Sequence, residues 1–423
     1  MSSILSKTDN GGQVFVRDVQ YYKFCAYGFL KNLKFFEPFL LLFFLEKGIT
    51  FLQIGTLYAV REALINLFEI PSGIVADSVG RRRVMALSLL SYIISFVIFF
   101  FSQSYLVLLG AMLFYATGDA FRTGTHKAII FTYLKENNML KLKALYYGHT
   151  RSWSQLGSAF SALIAAFLVF WQGSYAPIFL FTIIPYLLDL MLILSYPRSF
   201  DLFTPNVDKS MREIFVEVFT SFIKSFKNLT LIKAIGNQAV YSGYYKAVKD
   251  YIQPMIKTLA LSLPFFIYAE GQKRTAVTTG IVYFIIFFLT SFASKYSHSI
   301  SSRFSSTQKA LNRYLYIGIF FGLVSAVLYY LEFPVLAVTA FFMIYFVENL
   351  RKPIGIDYVT SLMDEVALAS SLSVESQAET AFAVVFSLLI GTFTTLFSLP
   401  IALFLVTILL GILSLFLRLK EEK

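Results

Sequence analysis

The sequence predicts an all-α membrane protein with twelve transmembrane helices, arranged as two six-helix bundles. Three observations support this fold class. Only 14% of the 423 residues are charged, whereas a soluble domain carries about 25%. Apolar stretches of roughly 20 residues, the length that crosses a bilayer, recur from Tyr22 to the C-terminus. The longest polar segment, 197–230, leaves six of these stretches on either side.

The twelve predicted spans are separated by short polar turns. They lie at 22–45, 51–76, 84–102, 105–133, 144–170, 174–196, 231–260, 264–292, 314–331, 334–360, 372–397 and 399–417. The chain is therefore expected to divide into an N-terminal segment (1–20), a first bundle (21–196), a linker (197–230), a second bundle (231–418) and a short tail (419–423).

Basic residues are distributed unevenly between the turns. The turn after the first span carries one lysine, Lys47, and the end of the seventh span carries only Lys257, whereas the alternate turns carry clusters such as Arg81–Arg83. By the positive-inside rule, both termini are expected in the cytoplasm, in a plasma (inner) membrane. The first twenty residues lack the apolar core of a signal peptide, so the first span is expected to target the chain. The lone Cys25 excludes an internal disulfide.

The linker contains a helical pattern of its own. Ser210 and Glu213 have capping-box spacing, and phenylalanines follow at helical intervals from Phe215 to Phe226. This pattern predicts an amphipathic helix on the cytoplasmic membrane surface. A plain tether between the bundles explains the segment equally well.

Three motifs recur in the same order in both halves, which predicts an internal repeat. They are Gly28-x-x-Lys31-x-x-Lys34 with Gly243-x-x-Lys246-x-x-Lys249, Asp119-x-x-Arg122 with Glu348-x-x-Arg351, and Arg151-Ser152-x-x-Gln155 with Glu375-Ser376-x-x-Glu379. Transporters built from repeats bind their substrate between the two halves, near the bilayer midplane.

The turn after the second span carries a recognisable motif. It reads Gly73-x-x-x-Asp77-x-x-Gly80-Arg81-Arg-Arg and resembles the signature of the major facilitator superfamily. The resemblance implies secondary transport by alternating access, with Gly73, Asp77, Gly80 and Arg81 forming a latch between the halves. Gly73 is expected to permit close helix packing. The alternative is a positive-inside anchor without a latch function.

Ionisable side chains inside the spans are the candidates for the functional site. A charge at a helix centre costs ~2.5–3.5 kcal/mol on the insertion scale, so such groups are usually functional. The resemblance implies that the first, fourth, seventh and tenth helices line the cavity. Expected substrate-binding residues are Lys31, Lys34, Arg122, Lys246, Lys249 and Arg351, and expected proton-coupling residues are Asp119, Glu348, Glu375, Glu379 and His126. Alternatively, Asp119–Arg122 and Glu348–Arg351 are ion pairs that only fix helix packing.

The function predicted from these features is proton-coupled secondary transport of a small organic solute, with drug or organic-solute antiport favoured. A proton-independent facilitator or organic-anion exchanger remains open, as does a non-transporting receptor or scaffold on the same fold. No nucleotide-binding, hydrolase or paired-cysteine motif is present, so neither an enzyme nor a cofactor or metal is expected. The expected partners are the solute, protons and membrane lipids. The net charge of +11 is explained by the orientation of the chain in the membrane, so nucleic-acid binding is not expected. The protein is expected to be a monomer.

Overall fold

The computed structural model describes residues 9–10, 13–14, 17–123, 125–139, 143–201, 213, 229–264, 269–301, 303–362 and 368–420. Almost all of them are helical, apart from a two-residue antiparallel strand pair, β1 (Asp9–Asn10) with β2 (Gln13–Val14). Of the linker, only 197–201, position 213 and 229–230 are described, so the predicted amphipathic helix lies almost entirely outside the described residues.

The helices of the first half are α1 (Val19–Lys31), α2 (Leu40–Glu46), α3 (Phe51–Val79), α4 (Arg81–Phe101), α5 (Tyr105–Arg122), α6 (Thr125–Glu136), α7 (Lys143–Gln172) and α8 (Pro177–Leu194). Those of the second half are α9 (Leu229–Val248), α10 (Ile252–Ser262), α11 (Gly271–Ser301), α12 (Thr307–Tyr330), α13 (Pro334–Ser361), α14 (Leu368–Leu396) and α15 (Leu399–Phe416).

Eight of the described helices are long and apolar enough to cross a membrane: α4, α7, α8 and α11–α15. Each coincides with a predicted span. Of the other four predicted spans, three are divided into two helices each: α1 with α2, α5 with α6, and α9 with α10. The fourth is α3, which has sufficient length but carries Arg61, Glu62 and Glu69. Breaks and internal charge both reduce the apolar run, and they occur where the chain borders the cavity described below.

Proline explains two of the three breaks. Pro38 lies in a 3-10 turn, Glu37–Phe39, that separates α1 from α2. Pro254 lies in the first turn of α10, just after the 3-10 turn Lys249–Tyr251. Proline lacks a backbone N–H and clashes with the preceding helical turn, so it interrupts each helix at the same place in the two halves. Irregular backbone at membrane depth is tolerated where it borders a cavity or is buried in protein.

The two halves are packed tightly at the end of the bundle that carries Lys47, called here the Lys47 end. On one side α3 meets α14, where a Cβ atom on Gly55 would lie 2.5 Å from the carbonyl oxygen of Ser387. On the other side α7 meets α11, where a Cβ on Gly280 would overlap that of Ala166. Glycine is required at both seams because the helix backbones approach too closely for any side chain.

The opposite end, called the basic end, carries Arg81–Arg83 and the turn between α11 and α12. Here α7 and α11 diverge and leave a cleft of about 690 Å³, lined by His149, Ser152, Gln155, Leu156, Ala159, Phe287, Phe288, Ser291, Ser294 and Lys295. The same pair of helices is therefore in close contact at the Lys47 end and separated at the basic end.

The internal repeat has a counterpart in helix packing. Gly28 of α1 lies against α7, where a Cβ would be 2.8 Å from Ser154 Oγ. Gly243 of α9 lies against α14, where a Cβ would be 2.6 Å from the Glu379 carbonyl oxygen. The two glycines that align in the sequence repeat thus make equivalent close contacts in each half.

Candidate functional site: the central cavity

A charged cavity of about 270 Å³ lies between the two halves. It is bordered by the breaks between α1 and α2 and between α9 and α10, and by the faces of α3, α5 and α14. Its ionisable lining residues are Lys34, Glu37, Arg61, Glu62, Glu69, Asp119, Lys246, Lys249 and Asp250, and Tyr115, Thr123, Ser376 and Thr380 add hydroxyl groups. Five acids thus face four bases, so the wall is densely charged and close to neutral.

Two ion pairs cross this cavity from one half to the other. Lys246 Nζ of α9 lies 3.4 Å from Glu62 Oε2 of α3. Lys249 Nζ lies 3.3 Å from Glu37 Oε1 in the turn before α2. A hydrogen bond between Ser376 and Glu69 Oε2, 3.1 Å long, connects α14 to α3 in the same way. The halves are therefore joined by polar contacts at the cavity itself.

Lys246 also takes part in a network inside the second half. Its ammonium lies 3.0 Å from Glu379 Oε1, and the same oxygen lies 3.1 Å from Lys352 Nζ. Lys352 in turn lies 3.9 Å from Glu348 Oε1, which accepts a 2.7 Å hydrogen bond from Ser242. Glu379 therefore holds two lysines, one of which also contacts the opposite half through Glu62.

On the first half, Asp119 and Arg122 form the ion pair that their spacing on α5 predicts. Arg122 Nη2 lies 2.6 Å from Asp119 Oδ1, and the Tyr92 hydroxyl donates to the same oxygen at 2.5 Å. Lys34 donates to Tyr115 Oη at 3.1 Å. Asp119, Lys34 and Tyr115 line the cavity, so this face offers both a carboxylate and an ammonium group.

The Glu348–Arg351 ion pair of the alternative interpretation is not among the ion pairs of the described residues, and Arg351 is not at the expected substrate-binding position either. Arg351 is 0% exposed and donates to the backbone and side-chain oxygens of Asn237 and Gln238 on α9. Its guanidinium also lies 5.5 Å from the centre of the Tyr241 ring. Four oxygens of α9 are stronger competitors for this guanidinium than one carboxylate on its own helix, so Arg351 joins α13 to α9 and does not line the cavity.

Two other predicted residues lie behind the cavity wall, within the first half. The His126 ring stacks on Tyr27 with 3.7 Å between ring centres, and its buried Nε2 has no hydrogen-bond partner among the described residues. The Lys31 side chain is partly buried, and its ammonium lies more than 4 Å from every described carboxylate. Neither residue lines the central cavity in this conformation.

Two buried carboxylate oxygens of the second half have no hydrogen-bond partner in the described part of the chain. They are Glu348 Oε2 and Glu375 Oε1, and both residues are at most 5% exposed. Unpaired buried carboxylate oxygens are costly when the group is ionised. These two glutamates therefore have a chemical reason to take up protons.

The signature turn is held within the first half. Gly80 has φ of +109°, which favours glycine, and a Cβ there would lie 2.8 Å from Asp201 Oδ1. Asp201 accepts from the backbone N–H of Arg82 at 3.0 Å and pairs with its guanidinium at 2.9 Å. Arg81 donates to Thr132 Oγ1 at 2.7 Å.

The expectation that Gly73 permits close helix packing is not met in this conformation, because a Cβ there would contact nothing within 4 Å. The space around Gly73 adjoins a small cavity at the basic end, the end at which α7 and α11 are separated. The side chain of Asp77 lies outside the described part of the structure.

Sequence reasoning missed one buried acid. Asp189 of α8 is 0% exposed, and neither carboxylate oxygen has a partner among the described residues. The available signal was its position as the single charged residue of an otherwise apolar span, Pro177–Leu194. The structure also adds ionisable residues to the predicted cavity lining: Glu37, Arg61, Glu62, Glu69 and Asp250.

A helical bundle of two parts, with a charged cavity between them, is the architecture of a large class of solute transporters. The family model described as Major Facilitator Superfamily matches residues 24–376. The chain belongs to this superfamily, and it is a multi-pass membrane transporter.

One protein relative matches part of the chain, and several solved structures share its fold. The chain is 34% identical over 90 residues to the "Uncharacterized MFS-type transporter YxaM" of Bacillus subtilis (strain 168), a match that covers 21% of this chain and 23% of that protein. A mutant of the nucleoside transporter NupG superimposes with a TM-score of 0.75 at 13% identity, covering 94% of this chain and 98% of that one.

Two further solved structures share the fold. A POT family transporter in complex with 5-aminolevulinic acid has a TM-score of 0.70 at 13% identity, with 94% and 95% of the chains covered. A bacterial homologue of the human lysosomal transporter Spinster, in an inward-facing and unoccupied conformation, has a TM-score of 0.71 at 14% identity, with 95% and 97% covered.

Proposed function

We propose that this transporter moves a small polar organic solute by alternating access and binds it in the central cavity. The proposal depends on one observation: two ion pairs, Lys246–Glu62 and Lys249–Glu37, join the halves across the cavity. Opening the Lys47 end separates the halves and breaks these contacts. A solute that replaces them with contacts of its own shifts the equilibrium between conformations by its differential affinity.

The charge and size of the cavity favour a zwitterionic solute. An ammonium group of the solute would bind near Glu62 or Asp119, and a carboxylate or phosphate near Lys246 or Lys249. A cavity of about 270 Å³ lies just below the range of roughly 300–1,000 Å³ typical of drug-sized ligands. The dense charge also disfavours a large apolar drug, although the sequence left that class open. The POT family relative holds 5-aminolevulinic acid, an amino acid, on the same fold.

The proposed orientation places the basic end in the cytoplasm of a cell whose plasma membrane contains the protein. It follows from the positive-inside rule and puts both termini in the cytoplasm. The close packing at the Lys47 end and the cleft at the basic end then correspond to an inward-facing conformation. Asp77, with Gly80 and Arg81, is proposed to stabilise the opposite, outward-facing conformation as a latch.

Proton coupling is the proposed energy source. Asp119, Glu348, Glu375 and Glu379 are the proposed proton-binding residues, because each is an intramembrane carboxylate in or beside the charged network. Protonation of Glu379 would weaken its hold on Lys246 and so change the contact between Lys246 and Glu62. This links proton binding to the interface between the halves, and it favours antiport, in which solute and proton compete for the same network.

A facilitator or organic-anion exchanger that moves no proton is the second candidate within transporters. The lysines of the cavity favour it, since Lys34, Lys246 and Lys249 would all contact an anionic group. A non-transporting receptor on the same fold is the candidate of another class. It predicts that the charges of the cavity are fixed packing pairs.

Uptake into proteoliposomes separates these candidates. The purified protein is reconstituted and tested with amino acids, organic anions and organic cations, with and without an imposed pH gradient. Accumulation that requires the gradient supports proton coupling, gradient-independent exchange supports the second candidate, and no transport of any solute supports the receptor.

A matched pair of variants on α9 tests the site. Lys246→Gln removes a cavity cation and is expected to abolish solute binding. Lys233→Gln, on the same helix but outside the cavity lining, is expected to retain it. Equal binding by the two variants would contradict the assignment of the cavity as the solute site.

A further inference from the structure

Asp189 is a buried acid that the transport cycle proposed above does not use. It lies in the C-terminal half of α8, is 0% exposed, and has no hydrogen-bond partner at either carboxylate oxygen within the described residues. An ionised carboxylate without partners in an apolar surrounding is strongly unfavourable, and such a group usually becomes neutral instead. Intramembrane acids of this kind are by default functional.

Helix packing places Lys31 next to this acid. The Tyr186 hydroxyl of α8 donates to the backbone carbonyl of Lys31 at 3.2 Å. Asp189 is three residues beyond Tyr186 and therefore shares its helix face. Lys31 interacts electrostatically with both Asp189 and Asp119, although its ammonium forms no ion pair within 4 Å with any described carboxylate. Lys31 is thus close enough to interact with an acid of the cavity and with an acid behind it.

The other ionisable groups that face Asp189 are less able to compensate its charge. Arg122 interacts with it but already pairs with Asp119 at 2.6 Å. Tyr27 and Tyr196 also interact with it, and both are phenols, which are ordinarily neutral at physiological pH. Lys31 is therefore the neighbouring basic side chain that holds no carboxylate within 4 Å among the described residues.

We propose that Asp189 is a second proton-binding site, inside the first half, that exchanges its proton as Lys31 moves. In this conformation Asp189 is the neutral acid. When the Lys31 ammonium moves to it, the O–H bond breaks, the proton passes to water, and the carboxylate pairs with the lysine. Protonation of Asp119 removes the attraction on the cavity side and so favours this movement. The inference rests on the proposed proton coupling.

Infrared spectroscopy of the reconstituted protein tests the protonation directly. A protonated carboxylic acid has a C=O stretching band that the carboxylate lacks, and carboxyl-¹³C-labelled aspartate shifts this band only where it belongs to aspartate. We expect an aspartic acid band in the labelled wild type at neutral pH. Asp189→Asn should lose it, whereas Asp201→Asn, the same substitution at an acid paired with Arg82, should keep it.

A second variant removes the cation. In Lys31→Met the aspartic acid band should persist to more alkaline pH than in the wild type, because the carboxylate loses its compensating charge. If Asp189→Asn does not fold, the comparison of Lys31→Met with the wild type still tests whether Asp189 is the protonated acid. The absence of an aspartic acid band in the labelled wild type, or an unchanged band in Asp189→Asn or Lys31→Met, would overturn the proposal.

Transport separates this inference from the proposed function. Asp189→Asn should lose solute accumulation driven by a pH gradient and keep solute counterflow, because the solute contacts in the cavity are intact. Gradient-driven accumulation equal to that of the wild type would show that Asp189 is not part of the coupling. If the wild type accumulates no more solute with a pH gradient than without one, proton coupling is refuted. The infrared bands would still report the protonation of Asp189.

Discussion

The two Asp/Glu-x-x-Arg motifs should respond differently to charge removal, although the sequence presents them as equivalent. Asp119 and Arg122 are paired at 2.6 Å with side-chain exposures of 22% and 14%. Removing one partner of a buried pair costs ~3–5 kcal/mol, and partial exposure favours the lower end. We expect Asp119→Asn and Arg122→Gln to destabilise the protein by about 3 kcal/mol each, with a coupling energy of about 2–3 kcal/mol between them.

The second motif should show little direct coupling. Arg351 donates to oxygens of Asn237 and Gln238 rather than to Glu348, so Arg351→Gln leaves several buried acceptors without their donor. We expect a loss of roughly 3–5 kcal/mol. Adding Glu348→Gln should not restore stability, and the coupling energy should be about 1 kcal/mol or less, since the hydrogen bonds of the described residues connect the two side chains through Gln238 and Ser242 and not directly.

The chain provides its own probe for this measurement. Cys25 is the single cysteine and is 1% exposed, so a thiol-reactive dye reports unfolding in detergent. For halves of this size, 1 kcal/mol corresponds to a shift in Tm of about 2–4 °C, so each single variant of the first motif should lower Tm by roughly 6–12 °C. Equal coupling energies in the two motifs, or additive effects for Asp119 and Arg122, would refute this reasoning.

Three further predictions follow from the packing and the charge distribution. Gly280→Val should separate α11 from Ala166 and expose the Lys47 end, which accessibility of engineered cysteines measures; unchanged labelling would show that this seam does not control opening. Asp201→Asn should lower stability by about 1–3 kcal/mol, because it weakens the hydrogen bond from the Arg82 backbone N–H and removes the ion pair with Arg82 at the start of α4. An unchanged Tm would contradict this. Tags beside Lys47 and Lys224 should lie on opposite sides of the membrane, and finding both on one side would exclude the twelve-span topology.

The sequence by itself determined the class of fold and the position of most helices. Hydrophobic stretches report membrane spans because transfer of a whole helix into lipid depends on summed composition, and eight predicted spans correspond to apolar helices in the structure. The motif around Gly80 resembled the superfamily signature, and the structure explains its glycine, since a positive φ and the nearby carboxylate of Asp201 leave no room for a side chain. None of the three breaks within predicted spans was predicted, although Pro38 and Pro254 gave a signal for two of them.

The tertiary structure alone decided which charges meet. Helical period places Glu348 and Arg351 near each other, yet Arg351 binds α9 because a neighbouring helix offers more acceptors. Lys246 bridges Glu62 and Glu379, which are separated by more than 300 positions in the sequence. Asp189 has no hydrogen-bond partner among the described residues, which depends on the helices packed around α8 and not on its neighbours in sequence. Local spacing determines the face a side chain occupies, whereas the packing of distant helices determines what that face contacts.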